Sequence, residues 1–441
     1  MDAQLEPLPS ARARLLKGFT RRGTQWLVVG SVLGGLGAYL FQIVGTRALG
    51  EEAYAPIGTL WTIQFLTWSI FLQPVESFVT REVVTGRAAP SLSRTVVVRT
   101  WAWVALVAGT VAGTSWLAGE RLFYGVEGLA VVAGLIALSF GAFAFVRGGL
   151  AGHERFRAYG FVSAAESLLR FALVVVVALI VPTTRALAWT MPFGAAIAAS
   201  FWFVVRGDPA EPPAGAPDGI GPSRAGRFLV LTSVANAAGQ LLLAGGPLAL
   251  VALAAAPGEL SVFFVTITAA RVPVVLALGG LLSRLLPTFG RILAARGRDA
   301  VSSLAARIAV GTVAVAAVGA ALGFAAGSQL IGLFFGSGFE PPPWLAAIAA
   351  GGVLIATGGM VLNQLLVAAG LEHRLPIPWM GGLLAGSLVL LIADGTPTQR
   401  VAAGFMSGEV VALMALLVAA RWRDRHGPRV DPGDRGGPEH A

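Results

Sequence analysis

Long apolar runs alternate with short polar segments along almost the whole chain. A membrane-crossing helix needs about 20 predominantly apolar residues. On that basis the pattern predicts twelve transmembrane helices, at residues 24–46, 55–79, 95–118, 127–150, 158–181, 185–205, 227–254, 261–286, 301–325, 344–369, 376–393 and 400–420. The first apolar run is longer than the apolar core of a signal peptide, and no Ala-x-Ala cleavage pattern follows it. We therefore expect no cleaved leader.

The composition agrees with this pattern. Of the 441 residues 56% are hydrophobic and 12% are charged, and the mean hydropathy is +0.75. Soluble domains carry about 25% charged residues, so the sequence indicates an all-α polytopic membrane protein. The chain contains no cysteine, which excludes disulfides, thiol chemistry and cysteine-ligated metals.

The basic residues predict the orientation. With a cytoplasmic N-terminus, 23 of the 32 Lys and Arg residues fall on inner segments. The others are on outer connections (Arg47, Arg121, Arg185, Arg400) or within spans (Arg99, Arg170, Arg271, Arg284, Arg307). Positive charge marks the cytoplasmic side, so both termini are predicted to be cytoplasmic. The net charge of +9 then reflects membrane orientation, and no nucleic-acid partner is expected.

Two halves are expected on either side of a Pro- and Gly-rich linker. The predicted order is a tail (1–23), a six-helix bundle (24–205), the linker (206–226), a second bundle (227–420) and a disordered tail (421–441). The halves resemble each other: "RLFYG" at 121–125 aligns with "GLFFG" at 332–336, and Gly50-Glu51 with Gly258-Glu259. Six helices per copy give parallel repeats, with a substrate site expected between them.

A polar stripe marks the fifth predicted helix. Its members recur at three- and four-residue spacing: Tyr159, Ser163, Glu166, Ser167 and Arg170. Charges at such depth are costly and usually face a partner or a cavity. Two interpretations are open: a self-neutralised Glu166–Arg170 pair that locks helices together, or one wall of a polar cavity.

The second helix carries a similar stripe, formed by Gln73, Glu76, Ser77 and Thr80. Pro74 lies within it and is expected to loosen the helix, because proline lacks a backbone N–H.

In the C-terminal half the seventh helix contains Ser233, Asn236 and Gln240. Arg271 lies near the middle of the eighth span, which holds no acidic residue, and is therefore the leading candidate there for a binding role. Glu409 is alone in the twelfth span, where structural pairing and proton carriage are both open.

Other signals are weak. "GSVLGGLG" at 30–37 lies within a span and predicts close helix packing rather than nucleotide binding. His153 and His373 lack the neighbours of a metal site, and no G-x-x-x-x-G-K-[ST] motif occurs. No metal, cofactor or enzymatic activity is therefore predicted, since no connection is long enough for a soluble catalytic domain.

Several segments resemble bacterial polysaccharide flippases of the multidrug, oligosaccharidyl-lipid and polysaccharide exporter superfamily. They are "RALGEEAYA" after the first helix, "VRGGLAGHERFRAYGFVSAAESLLRFAL" (146–173), "ARVPVVLALGGLLSRLLPTFGRILAARGR" (270–298) and "LFFGSGF" (333–339). The resemblance covers most of residues 24–420 and lies in the positions of turn sequences and charged residues.

This resemblance implies two bundles arranged in a V, alternating access, and an arginine-lined cavity in the bacterial cell membrane. That cavity would pass the pyrophosphate of a polyprenyl-linked oligosaccharide to the outer leaflet. Arg170 and Arg271 match the mid-helix arginines, and arginine binds phosphate bidentately. Further candidate contacts are Ser163, Gln73, Asn236 and Gln240.

The expected partners are membrane lipids, the lipid-linked oligosaccharide, H+ or Na+, and a polysaccharide polymerase or glycosyltransferase. Glu76, Glu166 and Glu409 are the candidates for ion coupling. One alternative is an ion-coupled multidrug antiporter of the same superfamily, although the first helix lacks the carboxylate typical of that branch. Another is a membrane-embedded glycosyltransferase or ligase.

Overall fold

The computed structural model describes residues 21–84, 94–201, 222–278, 282–296 and 300–421. These residues form helices and turns and contain no strand. Eight of their helices are long and apolar enough to cross a membrane, or nine if the bent pair Gly226–Val234 and Asn236–Ala244 is one span. Each of the twelve predicted apolar runs coincides with a helical segment. The prediction of an all-α polytopic membrane protein is confirmed.

The described residues of the N-terminal half form seven helices and one π-helical turn, Trp68–Leu72. The helices are α1 (Arg21–Thr67), α2 (Gln73–Val84), α3 (Arg94–Leu117), α4 (Gly119–Leu122), α5 (Leu129–Gly152), α6 (Phe156–Ile180) and α7 (Thr184–Ser200).

In the C-terminal half the described ranges form nine helices. They are α8 (Pro222–Ala244), α9 (Gly246–Ala252), α10 (Pro257–Leu278), α11 (Leu282–Arg296), α12 (Ala300–Leu322), α13 (Ser328–Phe335), α14 (Pro343–Ala368), α15 (Pro376–Ile392) and α16 (Pro397–Arg421). A π turn (Gly323–Gly327) and two 3-10 turns (Ser337–Phe339 and Glu372–Arg374) join some of them. Most of the predicted linker and both predicted tails lie outside the described residues.

Two predicted spans lie within α1, which is broken at Gly50. The backbone there has φ 77° and ψ 175°, values that glycine adopts without strain. This corner lies between the first two apolar runs, so α1 is two transmembrane segments joined at an angle. The aligned "LFYG" and "LFFG" turns are also alike, because Gly125 (φ 80°) and Gly336 (φ 113°) both have positive φ.

Small residues bring the first segment of α1 against α6. A Cβ atom on Gly30 would lie 2.5 Å from the Gly160 backbone, and one on Gly37 would lie 2.9 Å from the Ser167 carbonyl carbon. The predicted packing role of "GSVLGGLG" is confirmed. Its consequence is that the polar stripe of α6 lies beside the first span.

The second segment of α1 connects the two halves, because it packs against both α8 and α10. It continues through the π turn Trp68–Leu72 into α2, which begins beside Pro74. The carbonyl of Phe71 in this turn accepts a hydrogen bond from Trp103 Nε1 at 3.1 Å. The helix is therefore widened next to the proline, as the sequence predicts.

Candidate functional site: a cavity between the halves

A cavity of about 420 Å³ lies between the two halves. Both segments of α1, together with α5 and α6, line it from the N-terminal half, and α8, α9, α10 and α16 line it from the other. Gly30, Ser31 and Arg147 on its wall belong to the helix ends that are predicted to be cytoplasmic. The outer corners do not contribute lining residues among those described, so the cavity is displaced towards the predicted cytoplasmic side.

Arg170 lines this cavity and contacts neighbours through both of its terminal nitrogens. Its Nη2 atom lies 2.9 Å from Oε1 of Glu166, and only 3% of the Arg170 side chain is exposed. Nη1 donates a hydrogen bond to Oε1 of Gln64 at 3.1 Å. Ser167 donates to the other Glu166 oxygen at 2.6 Å. The α6 stripe thus forms both a neutralised pair and a cavity wall.

Arg271 lines the same cavity from the C-terminal half but has no such partner. It donates a hydrogen bond to the carbonyl of Leu243, and its guanidinium carbon lies 5.5 Å from the centre of the Phe65 ring. No carboxylate of the described residues lies within ion-pairing distance of it. Arg271 therefore lacks the direct ion pair that Arg170 makes, and the acidic residue that interacts with it electrostatically, Glu409, lies beyond ion-pairing distance.

Arg147 is a site residue that the sequence does not predict, because its charge counts there only as an orientation signal of the cytoplasmic side. In the structure it lies within α5 and lines the cavity. Its Nε atom is 3.4 Å from Oε2 of Glu76, and it donates to the Tyr159 hydroxyl. Tyr159 in turn donates to Oε1 of Glu76 at 2.7 Å.

One face of the second segment of α1, continued by the first residue of the π turn, contacts all three arginines. Trp61 stacks on Arg170 with 4.5 Å between guanidinium carbon and ring centre, and Phe65 faces Arg271. In the π turn, the centre of a Trp68 ring lies 5.2 Å from the guanidinium carbon of Arg147. Gln64, on the same face, accepts from Arg170. Such contacts stabilise a guanidinium in a partly desolvated site. The sequence signal was present in the three- and four-residue spacing of positions 61, 64, 65 and 68.

The structure places the other predicted contacts differently. Ser163 lines the cavity, whereas the Gln73, Asn236 and Gln240 side chains are not among its described lining residues. Asn236 instead donates to the Ser69 carbonyl of the π turn at 3.4 Å. Gln73 is exposed. A π turn holds an additional residue, so side chains beyond Leu72 are rotated relative to regular helical spacing.

The three candidate carboxylates also differ in their surroundings. Glu76 and Glu166 pair with Arg147 and Arg170. Glu409 is 1% exposed, and its Oε1 has no hydrogen-bond partner. It lies one turn beyond Phe405, which lines the cavity. Leu242, which precedes the Leu243 whose carbonyl accepts from Arg271, contacts Gly408. Glu409 is therefore behind the wall that holds Arg271.

The charged residues that line the cavity are mainly basic. Among the described residues three arginines (Arg147, Arg170, Arg271) and one carboxylate (Glu166) line the cavity, and aromatic rings surround them. Glu76 compensates Arg147 from outside the lining. An anion placed near Arg271 would meet a cation in a low-dielectric environment, where the attraction is strong.

Solved structures share this fold. An inward-facing multidrug resistance MATE family transporter of the MOP superfamily is 14% identical, with 90% of this chain and 97% of that chain covered and a TM-score of 0.66. An outward-facing transporter of that family is 13% identical over 91% of this chain and 94% of that one, with a TM-score of 0.58. A MOP superfamily transporter from Pyrococcus furiosus, whose binding pocket is described as having reverse polarity, is 14% identical over 91% of this chain and 93% of that one, with a TM-score of 0.57. No family model and no curated protein matches the chain. The chain is a multi-pass membrane protein with the MATE transporter fold.

Proposed function

We propose that this protein is a membrane transporter whose central cavity receives the anionic group of an amphipathic molecule. The observation that carries the proposal is Arg271, which lines the cavity without a salt bridge to any described carboxylate. A buried guanidinium without a direct ion pair is costly in a membrane protein and is usually functional. A phosphate or pyrophosphate is a suitable ligand, since arginine donates to it bidentately.

The finer proposal is that the cargo is a polyprenyl-pyrophosphate-linked oligosaccharide moved from the cytoplasmic to the outer leaflet. It rests on the resemblance of residues 146–173 and 270–298 to polysaccharide flippases and on the arginines of the cavity. A bacterial cell membrane, cytoplasmic termini, and a polymerase or glycosyltransferase as partner belong to the same proposal. Ser163 and Arg170 would contribute to the wall that receives the headgroup.

A second candidate is an ion-coupled multidrug antiporter, and two observations favour it. The similar solved structures include multidrug MATE transporters, and 420 Å³ is the volume of a pocket for a drug-sized ligand. In either case Glu409 is the best-placed candidate for H+ or Na+ coupling, because Glu76 and Glu166 are held by arginines.

The two candidates differ in the charge of the cargo, which gives the experiment. Purified protein in lipid vesicles is assayed for translocation of a fluorescent short-chain prenyl-pyrophosphate sugar and, separately, of a lipophilic cationic dye. We expect movement of the anion, reduced at least about tenfold by Arg271→Gln, since truncating one partner of a desolvated charge pair costs 2 kcal/mol or more. Arg307→Gln, which changes an exposed arginine of α12, is the control.

Movement of the cationic dye alone, unaffected by Arg271→Gln, would establish the antiporter instead. Activity towards neither probe, with intact protein, would contradict both candidates.

A further inference from the structure

Four corners of the chain meet at the predicted outer end, above the cavity. In the N-terminal half these corners are residues 47–54 and 118–128, and in the C-terminal half they are 253–258 and 333–339. By the internal repeat, which aligns Gly50 with Gly258, residues 47–50 correspond to 255–258, and 118–128 corresponds to the segment that contains 333–339.

The first contact joins corner 47–54 to corner 333–339. Arg47 Nε donates to the Phe334 carbonyl at 2.8 Å, and an Nη atom of Arg47 donates to the Leu333 carbonyl. Both acceptors are at the C-terminal end of α13, where helix carbonyls lack intrahelical donors and a cation is favoured. Tyr54, fully buried, packs edge-on against Phe339 at 6.1 Å between ring centres.

The second contact joins the other two corners. The Tyr124 hydroxyl donates to the Ala255 carbonyl at 3.4 Å. Partial burial and the nearby Glu259 raise the pKa of Tyr124, so its hydroxyl remains protonated and able to donate. Leu122 also packs against the apolar cluster around Ala255.

These contacts pair the corners crosswise. Each half contributes one corner of each type, and an axis that exchanges the halves would also exchange the two contacts. A parallel repeat predicts such an axis along the membrane normal. Rocking of the halves would therefore separate both contacts together.

We propose that the two crosswise contacts form the outer gate of the cavity and that Arg47 is its latch. The inference rests on the proposed transport by alternating access but not on the identity of the cargo. Arg47 is exposed, so water can replace the two helix carbonyls when the gate opens. The Arg47 latch consequently stabilises the closed conformation of the gate by a small amount, and the gate can still open.

The absence of cysteine from the chain allows a direct test. A single Ala38→Cys substitution places a thiol on the cavity wall, and a membrane-impermeant maleimide is added from outside intact cells. We expect Arg47→Ala to accelerate labelling about fivefold, from the loss of two exposed hydrogen bonds of about 0.5 kcal/mol each. Arg185→Ala, which removes an exposed arginine at the predicted outer end of α7, should leave the rate unchanged.

A crosslink provides the second arm. A Cβ atom on Gly258 would lie 3.7 Å from Cγ of Glu51, so Glu51→Cys with Gly258→Cys can form a disulfide across the gate. Its oxidation should stop external labelling of Ala38→Cys, and reduction should restore it. The control pair, Ala53→Cys with Thr184→Cys, joins two segments of the same half that a 2.7 Å hydrogen bond already connects.

Equal labelling of the Arg47→Ala and Arg185→Ala proteins would overturn the latch. Unchanged labelling after oxidation of the gate pair, or arrest by the control pair as well, would overturn the gate. Because neither arm uses a cargo, a failure here is distinguishable from a failure of the proposed function.

Discussion

The Glu166–Arg170 pair gives the most quantitative prediction. Its side chains are 6% and 3% exposed, and the shortest distance between their charged atoms is 2.9 Å. Removing one partner leaves the other charge buried and unpaired, which costs about 3–5 kcal/mol. Replacing both removes that penalty. We therefore expect Glu166→Gln and Arg170→Met each to destabilise strongly, and the double variant to be at least about 3 kcal/mol more stable than the sum of the single effects.

The assay is a double-mutant cycle on the purified protein in detergent, with unfolding followed by tryptophan fluorescence. Unfolding rates at one temperature are compared, because the unfolding of such proteins is commonly irreversible. Arg307→Met, at an exposed position, should change stability by less than about 0.5 kcal/mol. Additive effects in the cycle would refute the pairing argument. A stable double variant that no longer moves cargo would show that the pair acts in transport as well as in stability.

Three further substitutions test the surroundings of the cavity. Phe65→Leu removes the ring beside Arg271 and should weaken pyrophosphate binding about fivefold in equilibrium titration, whereas Phe65→Tyr should not. Glu409→Gln should raise thermal stability, since it replaces a buried carboxylate that has an unpartnered oxygen. The same substitution should abolish any dependence of transport on pH. A stable variant with an unchanged pH profile would exclude Glu409 from ion coupling. Tyr159→Phe removes the hydroxyl that accepts from Arg147 and donates to Glu76, and should cost about 2 kcal/mol in unfolding without changing the preferred cargo charge.

The apolar periodicity predicted the helical segments because membrane helices must satisfy their own backbone hydrogen bonds, whatever their neighbours. The convergence of Arg170, Arg271 and Ser163 on one cavity was also predictable. A charged side chain in the middle of an apolar transmembrane helix usually faces a cavity or pairs with another charged group.

The remaining site residues depended on features that are not local. In the sequence, Arg147 cannot be distinguished from the arginines that mark the cytoplasmic side. Only the packing of α5 against other helices shows that it forms a salt bridge with Glu76 and a hydrogen bond with Tyr159. Gln73 lies beyond a π turn that changes the helical phase. The aromatic residues of α1, such as Trp61, resemble ordinary lipid-facing residues until the arginines beside them are known.

The most direct test of the central claim is an equilibrium titration of the purified protein with farnesyl pyrophosphate, in competition with a lipophilic cation. An anion site at Arg271 predicts saturable binding that weakens with salt, that Arg271→Gln reduces at least about tenfold, and that the cation does not displace. Tight binding of the cation, with no binding of the pyrophosphate, would contradict the account.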